Sequence, residues 1–331
     1  MTNGLEFQDN PQLANWPQLK KNRDIFDGAV DPDVLYKPVR LGKTGYSGGP
    51  YIEVSGDFHY MTSGGWDAKK KVERPPQRRA FKTTTLFTWT SKMSCPSFSL
   101  PAGPVASGGT CPASKATAIQ KEGTYLKFSP SIERIPDGQL FICDTCYAGK
   151  GRYLMYKSMS LGQMARLSWT TQAVRSGTFA RKISEAISSL QDPGVEEVLA
   201  QRAVSNKYFR IHDSGDFFSP DYYKAWVEVC HSLPAIHFWA PTRQWVYSMW
   251  REVFSNYPPP KNLSLRPSAL FTSSPPPQIQ GIAAGSTSVD GRMAAPVWNC
   301  PAYESEEGSC AGAGCRVCWD GQRKPVNYLT H

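Results

Sequence analysis

The chain has 331 residues, 40% of them apolar, and a formal charge of +9. At that length about 75% of the unfolded surface can be buried. The lack of any run of ~18 apolar residues excludes a membrane-spanning helix. The stretch MTNGLEFQDNPQLANW has neither the basic start nor the apolar run of a secretory signal. A reducing, cytoplasmic setting is therefore expected, where close cysteines hold metal more often than they form disulfides. The positive charge suits a nucleic acid or nucleotide partner without fixing any specificity.

Residues 1–80 read as an irregular extension, and 81–331 as an α/β domain carrying all the cysteines. Within the extension, 51–65 is predicted as a short hairpin with Gly56 and Asp57 near its turn. KKKVERPPQRR, residues 69–79, is either a solvated linker or a contact to a phosphate backbone. The alternating, β-branched run at 82–90 predicts a strand that delivers Lys92 and Cys95 at or just past its end. GTYLKF at 123–128 is a second short strand. From Ser158 to Leu190 the period becomes helical: Leu161, Met164 and Ala165 share one face, Ile183, Ile187 and Leu190 another, with a break at Gly177. VEEVLAQRAV is a third helical piece.

A repeated unit follows. KYFRIH (207–212) is a strand that ends in a polar loop, after which Ser219 is placed to cap a helix and Pro220 to occupy its first turn. Tyr223, Trp226, Val227 and Cys230 form that helix's buried side. AIHFWA (235–240) is the next strand, PTR its loop, and Val246, Met249, Trp250 and Val253 the next helix face. Further strands are expected within 262–268, 282–290 and 325–331. This rhythm predicts a parallel sheet covered by helices, arranged as a TIM-like barrel, complete or partial, with cysteine-rich metal-binding loops. An open doubly wound sheet is the alternative.

Eight cysteines divide along the chain into Cys95, Cys111, Cys143, Cys146 and Cys300, Cys310, Cys315, Cys318. Each group contains a Cys-x-x-Cys pair, and Gly/Pro-rich loops bring in its other members. The small residues of GSCAGAGC leave room for cluster sulfides and their amide hydrogen bonds, which suits two [4Fe–4S] clusters. Zinc accepts the same ligands and is the alternative at either site. Cys230, on an apolar helix face, reads as core filler.

SKMSCPSFSLPAG, CDTCYAGKGRY, FRIHDSGDF, the PTR after a strand, NLSL and the closing cysteine cluster together resemble the phage "gene product 88-like" proteins over about residues 82–331. The CYA after a cysteine pair is also similar to radical S-adenosylmethionine proteins. That resemblance implies a partial barrel of β/α units holding a cluster by three cysteines, with S-adenosylmethionine as cofactor. The chain departs from the superfamily's pattern in having no CxxxCxxC run.

If the strands are parallel, their polar ends converge on one mouth. His212, Asp213, Asp216 and Arg243 are the candidate catalytic residues: His212 to move a proton, Asp216 to orient it or bind a hydroxyl, Arg243 to fix an anion. Lys92, Arg152, Ser214, Thr242 and Ser268 are candidates for binding cofactor or substrate. The expected function is an iron–sulfur barrel enzyme acting on a nucleotide, nucleic acid or similar anion. The alternative is a nucleic-acid-binding or phage accessory protein with structural metal centres.

Overall fold

A computed structural model describes backbone segments between residues 40 and 85 and most of 86–329, leaving out 91, 104–108, 112, 114–138, 150–156, 202–203 and 321–323. The expected strand at 123–128 and the candidate Arg152 lie outside the described residues.

In the N-terminal part, β1 (Glu53–Met61) pairs antiparallel with β2 (Arg78–Thr85). The hairpin expected at 51–65 does not form there. Gly56 and Asp57 sit instead at a register irregularity between Ser55 and Phe58 within one continuous strand. A turn-forming Gly-Asp is tolerated at a bulge as readily as at a turn, so the dipeptide alone does not separate the two.

The body of the protein is mixed α/β. β3 (Thr88–Thr90) turns back antiparallel into β4 (Cys95–Phe98). Three helices follow, α1 (Lys157–Arg175), α2 (Phe179–Ser188) and α3 (Pro193–Gln201). Next come β5 (Tyr208–Ile211), α4 (Pro220–Ser232), β6 (His237–Thr242), α5 (Ser248–Asn256) and β7 (Leu263–Pro267). The sheet order is β7-β6-β5-β4-β3, and β4 to β7 are mutually parallel. The three predicted strands are therefore adjacent and parallel, as their rhythm required.

A second parallel sheet contains β8 (Ser286–Val289), β9 (Trp298–Asn299) and β10 (Val326–Leu329), in the order β8-β10-β9. One parallel bridge, Ser268 to Ser286, joins it to the first sheet. Among the described residues no pairing closes the two sheets into a complete barrel.

Side-chain alternation gives the first sheet two different faces. Phe98, Phe209, Ile211, Phe238, Ala240, Leu263 and Leu265 pack with the helices in the main core. Trp226 of α4 sits at its centre, with ring centroids 5.6 Å from Phe98, 5.5 Å from Phe179 and 5.9 Å from Phe209. The opposite face presents Cys95, Arg210, Trp239 and Arg266. There the C-terminal cysteine-rich segment lies over the sheet, with Cys310, Cys318 and Trp319 packed against Cys95 and Trp239.

Local signals placed α4 well. Ser219 accepts a hydrogen bond from the Tyr222 amide at 3.2 Å, Pro220 opens the helix, and the predicted stripe including Cys230 is buried. In α5 the predicted face is only half right. A 3₁₀ turn at Gln244–Val246 precedes the helix and rotates its register, so Trp250 and Phe254 are buried while Met249 is exposed. Helix α1 departs from the amphipathic expectation. Its buried side includes Gln163, Arg166 and Thr170 beside Ala165 and Trp169, while Leu161 and Met164 are only half-buried.

Candidate functional site

A cavity of about 250 Å³ opens at the carboxyl ends of the parallel strands. Its wall includes Cys111, Cys143, Cys146, Asp216 and Arg243. The site is built by loops stitched to one another. Beyond β4, the Leu100 amide donates to the Ser214 carbonyl at 2.9 Å and the Asp213 amide to the Phe98 carbonyl at 3.2 Å. Thr110 then donates its hydroxyl to the Pro101 carbonyl and accepts from the Asp216 amide at 3.2 Å. This places the neighbouring Cys111 beside Asp216.

The Cys-x-x-Cys turn is held from the other side. Phe141 bridges to Phe271, and the Ile142 amide donates to the Leu270 carbonyl at 2.8 Å. Two short 3₁₀ segments, Ile142–Thr145 and Tyr147–Gly149, carry Cys143 and Cys146 to the cavity. Tyr147 fastens this turn to β5 by donating its hydroxyl to the Asp213 backbone carbonyl.

Gly215 is required where the stitches meet. Its φ is +90°, and a Cβ there would lie 2.5 Å from Thr110 Oγ1 and 2.9 Å from Leu100 Cβ. Gly215→Ala is expected to cost about 3 kcal/mol from backbone strain and the clash together. It should also displace Thr110 and Cys111. Chemical denaturation checks the first effect, and the rate of thiol alkylation at Cys111 checks the second.

Asp216 organises the mouth. Its carboxylate accepts from Thr242 Oγ1 at 2.8 Å, from the Phe217 amide at 2.8 Å and from the Arg243 amide at 2.9 Å. Burial raises its pKa to about 6 from 3.8, against the pull of those three donors and the Arg243 charge. A carboxyl raised on folding ionises more easily in the unfolded chain. Its contribution to stability is therefore full below about pH 4 and is lost as pH rises through about 6. The difference is on the order of 3 kcal/mol. Asp216→Asn is expected to remove that dependence, read as the difference between variant and parent in urea midpoints across pH 4 to 7.

Arg243 spends its Nε on the Ala269 carbonyl at 3.1 Å. Its two terminal amino groups hold no protein partner among the described residues, so the fork is available to an anion in the cavity. Negative charge on Cys143, Cys146, Asp216 or Cys111 would favour its cationic form, and opposes the effect of its burial.

His212 departs from its expected role. Its Nε2 pairs with the Tyr222 hydroxyl at 3.0 Å, and burial lowers its pKa to about 3. It is a neutral imidazole near pH 7 and no ready proton carrier there. No hydrogen bond joins it to Asp216, which therefore does not orient it. Its Nδ1 is buried without a hydrogen-bond partner among the described residues.

The remaining candidates separate. Asp213, beside the cavity, pairs with Arg210 at 3.2 Å. The Ser214 hydroxyl bonds the Leu100 carbonyl and accepts from Gln163 Nε2 at 2.9 Å. Thr242 is committed to Asp216, and Ser268 lies 3.2 Å from the Ser286 hydroxyl. Lys92 is not at the cavity: its ammonium lies 3.3 Å from the Tyr303 ring centre, with Cys300, Cys310, Cys318 and Arg210 as neighbours. Gln163 and Arg166 were missed. Arg166 donates to the Ser99 carbonyl at 2.7 Å and to the Thr85 carbonyl at 2.8 Å. A polar stripe on a helix gives no apolar period by which to find it.

The cysteines do not keep their sequence grouping. Cys111, Cys143 and Cys146 share the cavity, and each thiolate of that pair would raise the Cys111 pKa beyond the effect of burial and Asp216. Cys95 instead joins the C-terminal set, where it packs with Cys310 and Cys318. Lys92 fixes this arrangement by accepting the Cys310 amide on its carbonyl at 2.6 Å. Burial pushes the Cys95 and Cys318 thiols up to about 12 and Cys310 to about 11. Among the described residues, no three or more His, Cys, Asp or Glu side chains are drawn together into a preformed site for a metal ion.

The second set lies among unusual charges. Arg266 is fully buried, yet donates only to backbone carbonyls: Ala284 at 2.6 Å, Lys324 at 2.9 Å, Val317 at 3.1 Å and Gly285 at 3.4 Å. No acidic side chain pairs with it among the described residues. Its charge acts on Cys318, as those of Arg210 and Arg316 act on Cys95.

A parallel-stranded α/β body with cysteine-bearing loops at the strand ends is the class defined by this geometry. The family model for gene product 88 matches residues 67–274, and the chain belongs to that family. It is 33% identical over 109 residues to the "Gene 88 protein" of Mycobacterium phage L5, covering 33% of this chain and 42% of that protein. Over 108 residues it is 32% identical to the "Gene 88 protein" of Mycobacterium phage D29, again covering 33% and 42%. The matched stretch thus spans less than half the length of these curated relatives. No solved structure matches the chain. The family match includes the cavity cysteines and Cys95 but stops short of Cys300–Cys318. Among the described residues no helix is long and apolar enough to cross a membrane.

Proposed function

We propose that the chain is an iron–sulfur protein on a partial barrel of β/α units, and that its cavity acts on a small anionic substrate such as a nucleotide. The observation that carries this reading is the cavity itself: three cysteines and Arg243 line it together at the carboxyl ends of parallel strands. Cys111, Cys143 and Cys146 would hold a [4Fe–4S] cluster, whose bound form supplies one-electron or Lewis-acid chemistry. With three protein thiolates, one iron would be left to an exogenous ligand.

The chain's own residues then divide the work. Arg243 fixes the substrate's anionic group, Asp216 holds Thr242 and the Arg243 backbone in place, and Tyr147 ties the cysteine turn to β5. The second set, Cys95, Cys300, Cys310, Cys315 and Cys318, fits an anionic centre for a separate reason. A fully buried guanidinium paired with carbonyls and no acid favours negative charge nearby, and Cys318 is the cysteine on which its charge acts. Tetrahedral zinc would meet the same charge requirement in the second set.

The test is metal and sulfide analysis of anaerobically purified protein. About eight irons with as many sulfides per chain are expected if both centres are cubane. One or two zincs without iron would remove the redox reading, and protein with neither metal would remove both.

A further inference from the structure

A second cavity, of about 570 Å³, lies at the amino ends of β5, β6 and β7, away from the cysteine cavity. Its walls include Tyr208, His237, Lys261, Ser264, Arg316 and Trp319. Residues of opposite character are aligned there. Tyr208 and His237 are register partners on neighbouring strands, and their rings stack with centroids 5.4 Å apart and planes 26° apart. The Arg316 guanidinium lies 5.1 Å from the Tyr208 ring centre and 5.8 Å from that of Trp319. Trp319 closes the group edge-on to Tyr208 at 5.4 Å.

Ser264 supplies an independent sign of a ligand. It is only 4% exposed, and its hydroxyl has no hydrogen-bond partner among the described residues. A buried hydroxyl without a partner costs free energy that a ligand atom would recover. His237 and Lys261 are exposed, while Gly281, Ala283 and Ala284 leave the adjoining wall without bulk.

We propose that this cavity binds a nucleotide unit through both of its chemical parts. The base extends the Tyr208–His237 stack and bonds the Ser264 hydroxyl, and the phosphate meets Lys261 and Arg316. Stacking on an aromatic platform is available to any base because each has a π-face. Arginine and lysine provide the sequence-independent attraction to phosphate. The volume falls within the range of small-ligand sites, about 300–1,000 Å³. This site shares no lining residue with the cysteine cavity and is independent of the centre proposed there, while its Arg316 and Trp319 adjoin Cys315 and Cys318 of the second set.

The experiment uses the full chain as purified and follows tryptophan fluorescence and calorimetric heat on addition of AMP, ribose 5-phosphate and a short single-stranded oligonucleotide. AMP should bind saturably and ribose 5-phosphate at least about fivefold more weakly, since stacking contributes roughly 1–3 kcal/mol per base. His237→Ala, at an exposed position, should weaken AMP binding about tenfold, and Ser264→Ala about fivefold, with the circular dichroism of both unchanged. An oligonucleotide that competes with AMP and binds more tightly would identify a nucleic acid strand as the source of the unit. An oligonucleotide weaker than AMP would identify a free nucleotide. No saturable AMP binding by folded protein would overturn the proposal, as would equal affinity for ribose 5-phosphate or indifference to both substitutions.

Discussion

Cys111→Ser is expected to lose about four of about eight irons, all from the cavity centre, whereas Cys95→Ser should leave that centre loaded. The two substitutions differ because the cysteines lie in different places. Cys95 opens β4, pairs with Thr90 across the hairpin and packs with Cys310 and Cys318. Cys111 lies past the far end of that strand, hydrogen-bonded through its amide to the Gly103 carbonyl at 3.0 Å and lining the cavity. From Cys95 to Phe98 alone β4 runs about 10 Å. One compact centre could use both cysteines only if Cys111 left the cavity or that strand were broken. Iron content of the two variants, purified in parallel without oxygen, decides the matter. Equal loss of the same centre in both would restore a single four-cysteine group.

Arg266→Leu should destabilise the folded protein by roughly 3–5 kcal/mol and empty the second set. Each charge-assisted hydrogen bond to a carbonyl contributes about 1.5–3 kcal/mol, and these carbonyls would be left buried without a donor. Those of Ala284, Val317 and Lys324 come from the two chain segments that flank the second sheet and the cysteine loop. Removing the guanidinium therefore separates the β7–β8 connection from the C-terminal segment. It also removes positive charge beside Cys318. The loss is comparable with much of a typical domain's net stability. Arg266→Lys keeps the charge but offers no planar fork, so it should recover only part of either effect. Thermal unfolding together with metal content gives both readings. A variant as stable as the parent would show that the buried charge is not structural.

How far the sequence is legible follows from which interactions are local. Ser219, Pro220 and the Tyr223–Trp226–Val227–Cys230 stripe act within one helix, and α4 forms where they place it. The three adjacent parallel strands were legible because alternation and helical period change twice in succession. From that, His212, Asp213, Asp216 and Arg243 could be brought to one mouth, where they do converge.

The role of His212 was not legible. The distant Tyr222 hydroxyl and the surrounding core set its charge state, and neither follows from a histidine at a strand end. The cysteine grouping was misread for a related reason. Nearness along the chain placed Cys95 with Cys111, but a strand with opposite faces and ends lies between them. Arg266 could be seen near the end of a strand. Its burial against carbonyls became visible only when the C-terminal segment was in place.

If Cys111, Cys143 and Cys146 hold the proposed cubane, three protein thiolates would leave one iron without a protein ligand. Electron paramagnetic resonance of anaerobically purified protein after mild oxidation reads this open iron. An iron lacking a cysteine is the one a cubane releases first, so the parent chain is expected to give a three-iron cluster signal. The signal should persist in Cys95→Ser and be absent from Cys111→Ser. Iron-loaded protein that yields no such signal, or a signal that survives Cys111→Ser, would rule out an open iron at the cavity.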